Sequence, residues 1–163
     1  MKNKMKRALA FLITLLMMLN IAPVSAPAEN TGEGGQFSVL FARDGIKYSI
    51  DGSSAVVEGL ASDASGTSFT IPASITYNGS DYPVTEIRAD AFRGASGMDI
   101  TIQSNNITLC GNYNSDSDYT GAFANASNTI VTFTGKNVTV GKAAFMRSSG
   151  MKVRLTVSLL MPS

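Results

Sequence analysis

The chain has 163 residues, of which 13 are basic and 12 acidic, with no histidine and a single cysteine. A near-neutral balance of scattered charges leaves no electrostatic footprint for nucleic acid or an anionic membrane surface. The lack of histidine removes the commonest general base and any Ser-His-Asp triad, and one cysteine excludes an internal disulfide.

Residues 1–28 read as a signal peptide. Lys2, Lys4, Lys6 and Arg7 form a positive start, and Ala8 to Leu19 is an apolar run broken only by Thr14. Twelve residues fall short of the roughly 20 that a membrane-spanning helix needs. Small residues follow, as a signal peptidase requires. Cuts after Ala26 and after Ala28 are both open. The cut after Ala28 is favoured, because the other leaves Pro27 at the scissile bond; an uncleaved anchor is the competing reading. None of the acidic residues and four of the basic ones lie in this segment, so its removal leaves a net charge of −3. No second long apolar run follows, and no membrane insertion is expected after cleavage. The expected localisation is secreted or cell-surface.

Residues 29–45 form a polar, glycine-rich leader expected to be flexible, with order beginning near Phe37. Ile46-Lys47-Tyr48-Ser49-Ile50 alternates with period two, and Ala55 to Gly59 is a second short strand candidate. Asp51-Gly52-Ser53-Ser54 between them has turn chemistry, so residues 46–59 are predicted to form a β-hairpin that caps the rest. Phe69-Thr70-Ile71 is a strand ended by Pro72, which has no N–H for a ladder. Asn78-Gly79 between Ser74-Ile75-Thr76-Tyr77 and Tyr82-Pro83-Val84-Thr85 is a strong signal for a second hairpin.

From here the chain repeats. Ala91-Phe92, Ala122-Phe123 and Ala144-Phe145 are three copies of one pair. Eight and ten residues after each Phe stands an apolar pair: Ile100 and Ile102, Val131 and Phe133, Val153 and Leu155. With Phe69 and Ile71 as a first member, the intervals are 31, 31 and 22 residues. Units therefore start near 69, 100 and 131, with a partial one at 153, and residues 46–163 form one repeat domain. Such spacing predicts a mainly β, stacked solenoid, in which no unit buries its apolar face alone. The three phenylalanines are expected to stack as a buried spine. Each is followed three residues on by a small residue, Ala95, Ala126 or Ser148, suiting a crowded turn. Nine residues beyond the shortest unit lie in the second one, between Cys110 and Ala122, and predict a polar loop at 111–121. Such insertions often lie on a binding face.

Val84-Thr85-Glu86-Ile87-Arg88-Ala89-Asp90-Ala91-Phe92 resembles the V-T-x-I-G-x-x-A-F core of the BspA-like leucine-rich-repeat proteins, a bacterial secreted and surface family. Phe69-Thr70-Ile71-Pro72-Ala73-Ser74-Ile75 resembles that family's I-x-I-P-x-S-V strand, and Tyr77-Asn78-Gly79 to Tyr82-Pro83-Val84 its frequent first-repeat hairpin. Arg88 stands where the family usually has Gly, which Gly141 retains, and the family's frequent Cys three residues after Phe is absent. The resemblance covers about residues 46–157. It implies a leucine-rich-repeat solenoid of stacked parallel strands with short helical turns, and a role in adhesion. No catalytic residue comes with it.

No catalytic site, metal site or cofactor is expected. Asn112, Asn114, Asp116 and Asp118 alternate as calcium ligands do, but an EF-hand loop starting at Asn112 or Asn114 lacks Gly at its sixth position and Glu at its twelfth. The carboxylate pairs Asp81/Glu86 and Asp116/Asp118 sit in hairpin or loop sequence, where solvation is the simpler account. Cys110, within Ile107-Thr108-Leu109-Cys110, reads as a small buried residue, with intermolecular pairing as the alternative. The expectation is binding without catalysis: adhesion to an extracellular protein or glycan, with Tyr113, Asp116, Asp118 and Tyr119 as the candidate contact residues. The other reading is a structural front end, cap plus first repeats, of a longer surface protein. Self-association through the C-terminal strand, Val153 to Val157, is also open.

Overall fold

The structure, a computed structural model, describes residues 39–156. The signal segment with both of its cleavage positions, the first part of the leader, and residues 157–163 lie outside the described residues.

Strands β1 (Val39–Arg43), β2 (Ile46–Asp51) and β3 (Ser54–Leu60) form an antiparallel meander. The expected hairpin is β2–β3. Strand β1 falls within residues 29–45, the segment expected to be a leader with order beginning near Phe37. Asp44 and Gly45 take φ of 52° and 76°, the pair of left-handed residues that turns a chain sharply back on itself. Phe41 then stacks on Tyr48 and Tyr77, with ring centroids 5.8 and 4.6 Å apart. Val39-Leu40-Phe41-Ala42 has no period-two alternation, so its strand character was hidden. On the core side the meander buries Ile46, Tyr48, Ala55 and Val57.

Strand β4 (Ser68–Ile71) ends at Pro72 as expected. β5 (Ser74–Tyr77) and β6 (Ser80–Ile87) pair antiparallel across Asn78-Gly79, whose φ values of 48° and 79° suit a two-residue turn. The chain continues through β7 (Asp99–Ile102), β8 (Asn106–Leu109), β9 (Gly111–Ser115), β10 (Asp118–Gly121), β11 (Ile130–Phe133), β12 (Asn137–Val140) and β13 (Lys152–Leu155). Strands β4, β7, β11 and β13 lie side by side in that order, all parallel. Their register places Phe69, Ile100, Val131 and Val153 in one row, and Ile71, Ile102, Phe133 and Leu155 in another. These are the rows that the sequence intervals predict. A second sheet runs β1-β2-β3-β6-β8-β12, with β5 attached to β6, and is parallel from β3 onward. It aligns Ile87, Leu109 and Val140. The protein is thus mainly β, with parallel sheets.

The Ala-Phe segments join one sheet to the other. Ring centroids of Phe92 and Phe123 are 5.1 Å apart and those of Phe123 and Phe145 5.4 Å, with interplanar angles of 12° and 9°. Phe92 and Phe123 are fully buried, and Phe145 is partly so. Neighbouring turns bond to each other: Phe92 N–H donates to Ala122 O at 2.8 Å, and Phe123 N–H to Ala144 O at 2.7 Å. Within each turn the residue three beyond Phe donates back to it, Ala95 to Phe92 at 3.1 Å, Ala126 to Phe123 at 3.2 Å and Ser148 to Phe145 at 3.1 Å. The expected short helical turns do not form; no helix occurs among the described residues. The reason is local. Gly94, Asn125 and Arg147, each two residues after Phe, have φ of 71°, 58° and 54°. A left-handed residue reverses the backbone twist, so the short-range bonds cannot propagate as a helix.

The two ends of the parallel array differ. Near β4 and β6 the meander covers the apolar rows. At the other end Val140, Val153 and Leu155 remain exposed by 56%, 52% and 68%.

Candidate functional site

The 111–121 segment is a β-hairpin, not the loop that its composition suggests. β9 and β10 pair antiparallel, with Gly111 opposite Gly121 at the base and a register shift between Asp118 and Tyr119. Asp116 and Ser117 form the tip, where Asp118 N–H donates to Ser115 Oγ at 3.1 Å. Serine, asparagine and aspartate are poor strand formers, so the hairpin needs help from outside itself.

That help comes from three different turns. Asp90 Oδ1 accepts the Gly121 N–H at 2.9 Å and also pairs with Arg93 at 2.8 Å. The Arg93 guanidinium donates to Tyr119 O at 2.8 Å and lies 5.1 Å from the Tyr119 ring centroid. Arg147, from the turn of Phe145, places its guanidinium 5.4 Å from the same centroid. The Tyr119 hydroxyl donates to Asn125 Oδ1 at 2.8 Å. The hydrogen bond and charge of Asp90 push the Arg93 pKa further up, so it stays cationic at every relevant pH. The base of the hairpin sits flush on the third turn, because a Cβ on Gly111 or Gly121 would collide with the carbonyls of Lys142 and Ala143.

The four candidate residues divide into two roles. Tyr119 is an anchor, held from below. Tyr113, its cross-strand partner, is 44% exposed. Its hydroxyl donates to Asp116 Oδ1 at 3.0 Å, which fixes the ring and raises the phenol pKa. Asp118 Oδ2 accepts from Asn114 Nδ2 at 3.0 Å. Asn112 Oδ1 accepts the Tyr113 N–H at 3.0 Å. The alternating Asn and Asp side chains are thus engaged with one another and with Tyr113. Among the described residues no group of three or more His, Cys, Asp or Glu converges on a point. What the hairpin presents is a fixed aromatic face edged by amides and carboxylates, a surface suited to contact.

Asp90, Arg93, Asn125 and Arg147 were missed by sequence reasoning. Their signal was present: all lie within two residues of a spine phenylalanine, so aligning the turns places them around the Phe123 position. Cys110 lies next to the hairpin base and is partly buried. Desolvation, followed by a hydrogen bond to Glu86, pushes its thiol up to about 11. Two cavities of about 170 and 210 Å³ open beside the β1–β3 meander, and neither is lined by a hairpin residue.

Comparisons with family models, curated proteins and solved structures return no match for this chain.

Proposed function

We propose that this protein is a secreted or surface-displayed binding protein of the BspA-like leucine-rich-repeat kind, built as a short solenoid. It engages an extracellular protein or glycan through the face that the β9–β10 hairpin presents, and it has no catalytic activity. One observation carries the reading: a polar hairpin of poor strand formers is latched by side chains from three separate turns, and it holds Tyr113 exposed and fixed. Latching pre-organises a contact surface and lowers the entropy lost on binding. The 31-, 31- and 22-residue intervals, matched by the parallel register, support the repeat assignment.

The test is binding of the full chain to a glycan array and a panel of extracellular-matrix proteins. Any hit is then challenged with Tyr113→Ala and with deletion of residues 112–120. Loss of the hit with an unchanged melting temperature is the expected result. Binding that survives both variants removes the hairpin from the interface.

The exposed rows at Val140, Val153 and Leu155 favour a second reading, in which the domain is a structural front end whose apolar end is covered by further repeats. Light scattering on the full chain separates the two: a monodisperse monomer supports a free-standing binder, and aggregation supports the front end.

A further inference from the structure

We propose that β13 is a docking edge for an extended acidic segment of another protein, taken up as an added strand. Among the described residues β13 is the last strand of its sheet and pairs only with β11. Lys152 and Thr156 donate their N–H groups toward β11, to Thr129 O at 3.0 Å and Phe133 O at 2.9 Å. Alternate residues of a strand point their backbone groups to opposite edges, so the N–H and C=O of Val153 and Leu155 face away from β11. Among the described residues nothing pairs with them. Their side chains extend the rows of Val131 and Phe133, yet they are 52% and 68% exposed. Lys152 and Arg154 alternate with them and are exposed too. Their row neighbours on β11 are Ile130 and Thr132, and neither cation forms an ion pair among the described residues.

Charge selects the occupant. In a two-fold antiparallel pairing that seats Val153 on an apolar residue of β13 in a second copy, Val153 meets either Val153 or Leu155. Arg154 then lies opposite Lys152 on both sides of the axis in the first register, and opposite Arg154 in the second. Like charges directly opposed are destabilising, and lysine on an edge is a known guard against self-pairing. A strand that alternates aliphatic with Asp or Glu residues has the opposite effect. Its aliphatic side chains cover Val153 and Leu155, and its carboxylates lie beside Lys152 and Arg154. Main-chain bonds then supply affinity and the side-chain pattern supplies specificity.

Fluorescence anisotropy tests this with the full chain and a labelled Glu-Val-Glu-Val-Glu-Val peptide against its Lys-Val counterpart. The acidic peptide is expected to bind at least tenfold tighter than the basic one, and to weaken as salt rises. Arg154→Glu leaves Lys152 beside one new carboxylate, so the patch becomes neutral and that preference should disappear. Val153→Pro removes an N–H from the free edge and none from the β11 ladder, so it should abolish binding with little change in melting temperature. Tyr113→Ala should leave peptide binding unchanged, which separates this edge from the hairpin face. Equal binding of the two peptides, binding of neither, or full binding by Val153→Pro overturns the proposal. So does a dimer in light scattering that Val153→Pro dissolves, which assigns the edge to a second copy.

Discussion

Ala143 and Arg147 hold φ of 58° and 54°; Asp90, at the position of Ala143 in the first turn, is left-handed too, and Gly94 and Asn125 are so at the position of Arg147. An L-residue with a Cβ pays roughly 1–2 kcal/mol for that conformation, and glycine is relieved of it. Ala143→Gly is therefore expected to raise the melting temperature by a few degrees, measured by calorimetry. Gly121→Ala should do the reverse, losing about 1–3 kcal/mol as its new methyl is forced against the Ala143 carbonyl. Phe123, fully buried between two parallel rings, should lose about 3–5 kcal/mol on truncation to Ala in a denaturant titration. The spine was legible because the Phe positions repeat with their flanking rows. The strain at Ala143 was not, since nothing in an alanine announces a left-handed backbone.

Hairpins were legible where turn chemistry is local. Asn78-Gly79 supplies both positive φ values by itself, and its strands carry aromatic and β-branched residues. The β9–β10 hairpin draws its stability from Asp90, Arg93, Asn125 and Arg147, up to 31 residues away in the chain, and a window of neighbours cannot see that. The helical turns that never form have a local cause instead: the Ala-Phe segments have helix-compatible composition, and left-handed residues two beyond each Phe decide otherwise. The latch also gives a prediction for this element. Arg93 contributes one hydrogen bond and one cation–π contact, together about 1–2 kcal/mol. Arg93→Ala should accelerate amide exchange in residues 112–120 by about tenfold, while β7, β8 and β11 keep their protection. Equal acceleration everywhere would mean that the hairpin and the sheets open together.

For the molecule as a whole, the titrating groups predict an alkaline limit. With no histidine, stability should vary little between about pH 6 and 8. Burial raises the Tyr48 phenol pKa, and burial with Glu86 raises the Cys110 thiol to about 11. Both groups hold their proton more tightly folded than unfolded. Their stabilisation is complete below the unfolded values, roughly 8.5 for Cys and 10 for Tyr, and is lost as pH rises. Melting temperature should accordingly fall from about pH 9 upward, and more steeply beyond 10. Tyr48→Phe should flatten the steeper part. The same shift makes Cys110 slow toward iodoacetamide at pH 8 in the folded protein and ordinary in urea.

The 22-residue interval between Val131 and Val153 is the bare period of this chain. The two longer units each carry nine more residues, but at different corners: one adds the β5–β6 hairpin and the other the β9–β10 hairpin. Both return the chain to the same row, Phe69 to Ile100 and Ile100 to Val131. The two differ in their tie to the core: β5 and β6 bring Ile75, Val84 and Ile87 into it, whereas residues 112–120 add nothing to it. A lineage can lengthen, shorten or exchange the β9–β10 hairpin beyond its glycine base, or the 78–81 tip of the β5–β6 hairpin, while every buried row stays in place. The same two corners are where a protein engineer would graft a foreign peptide.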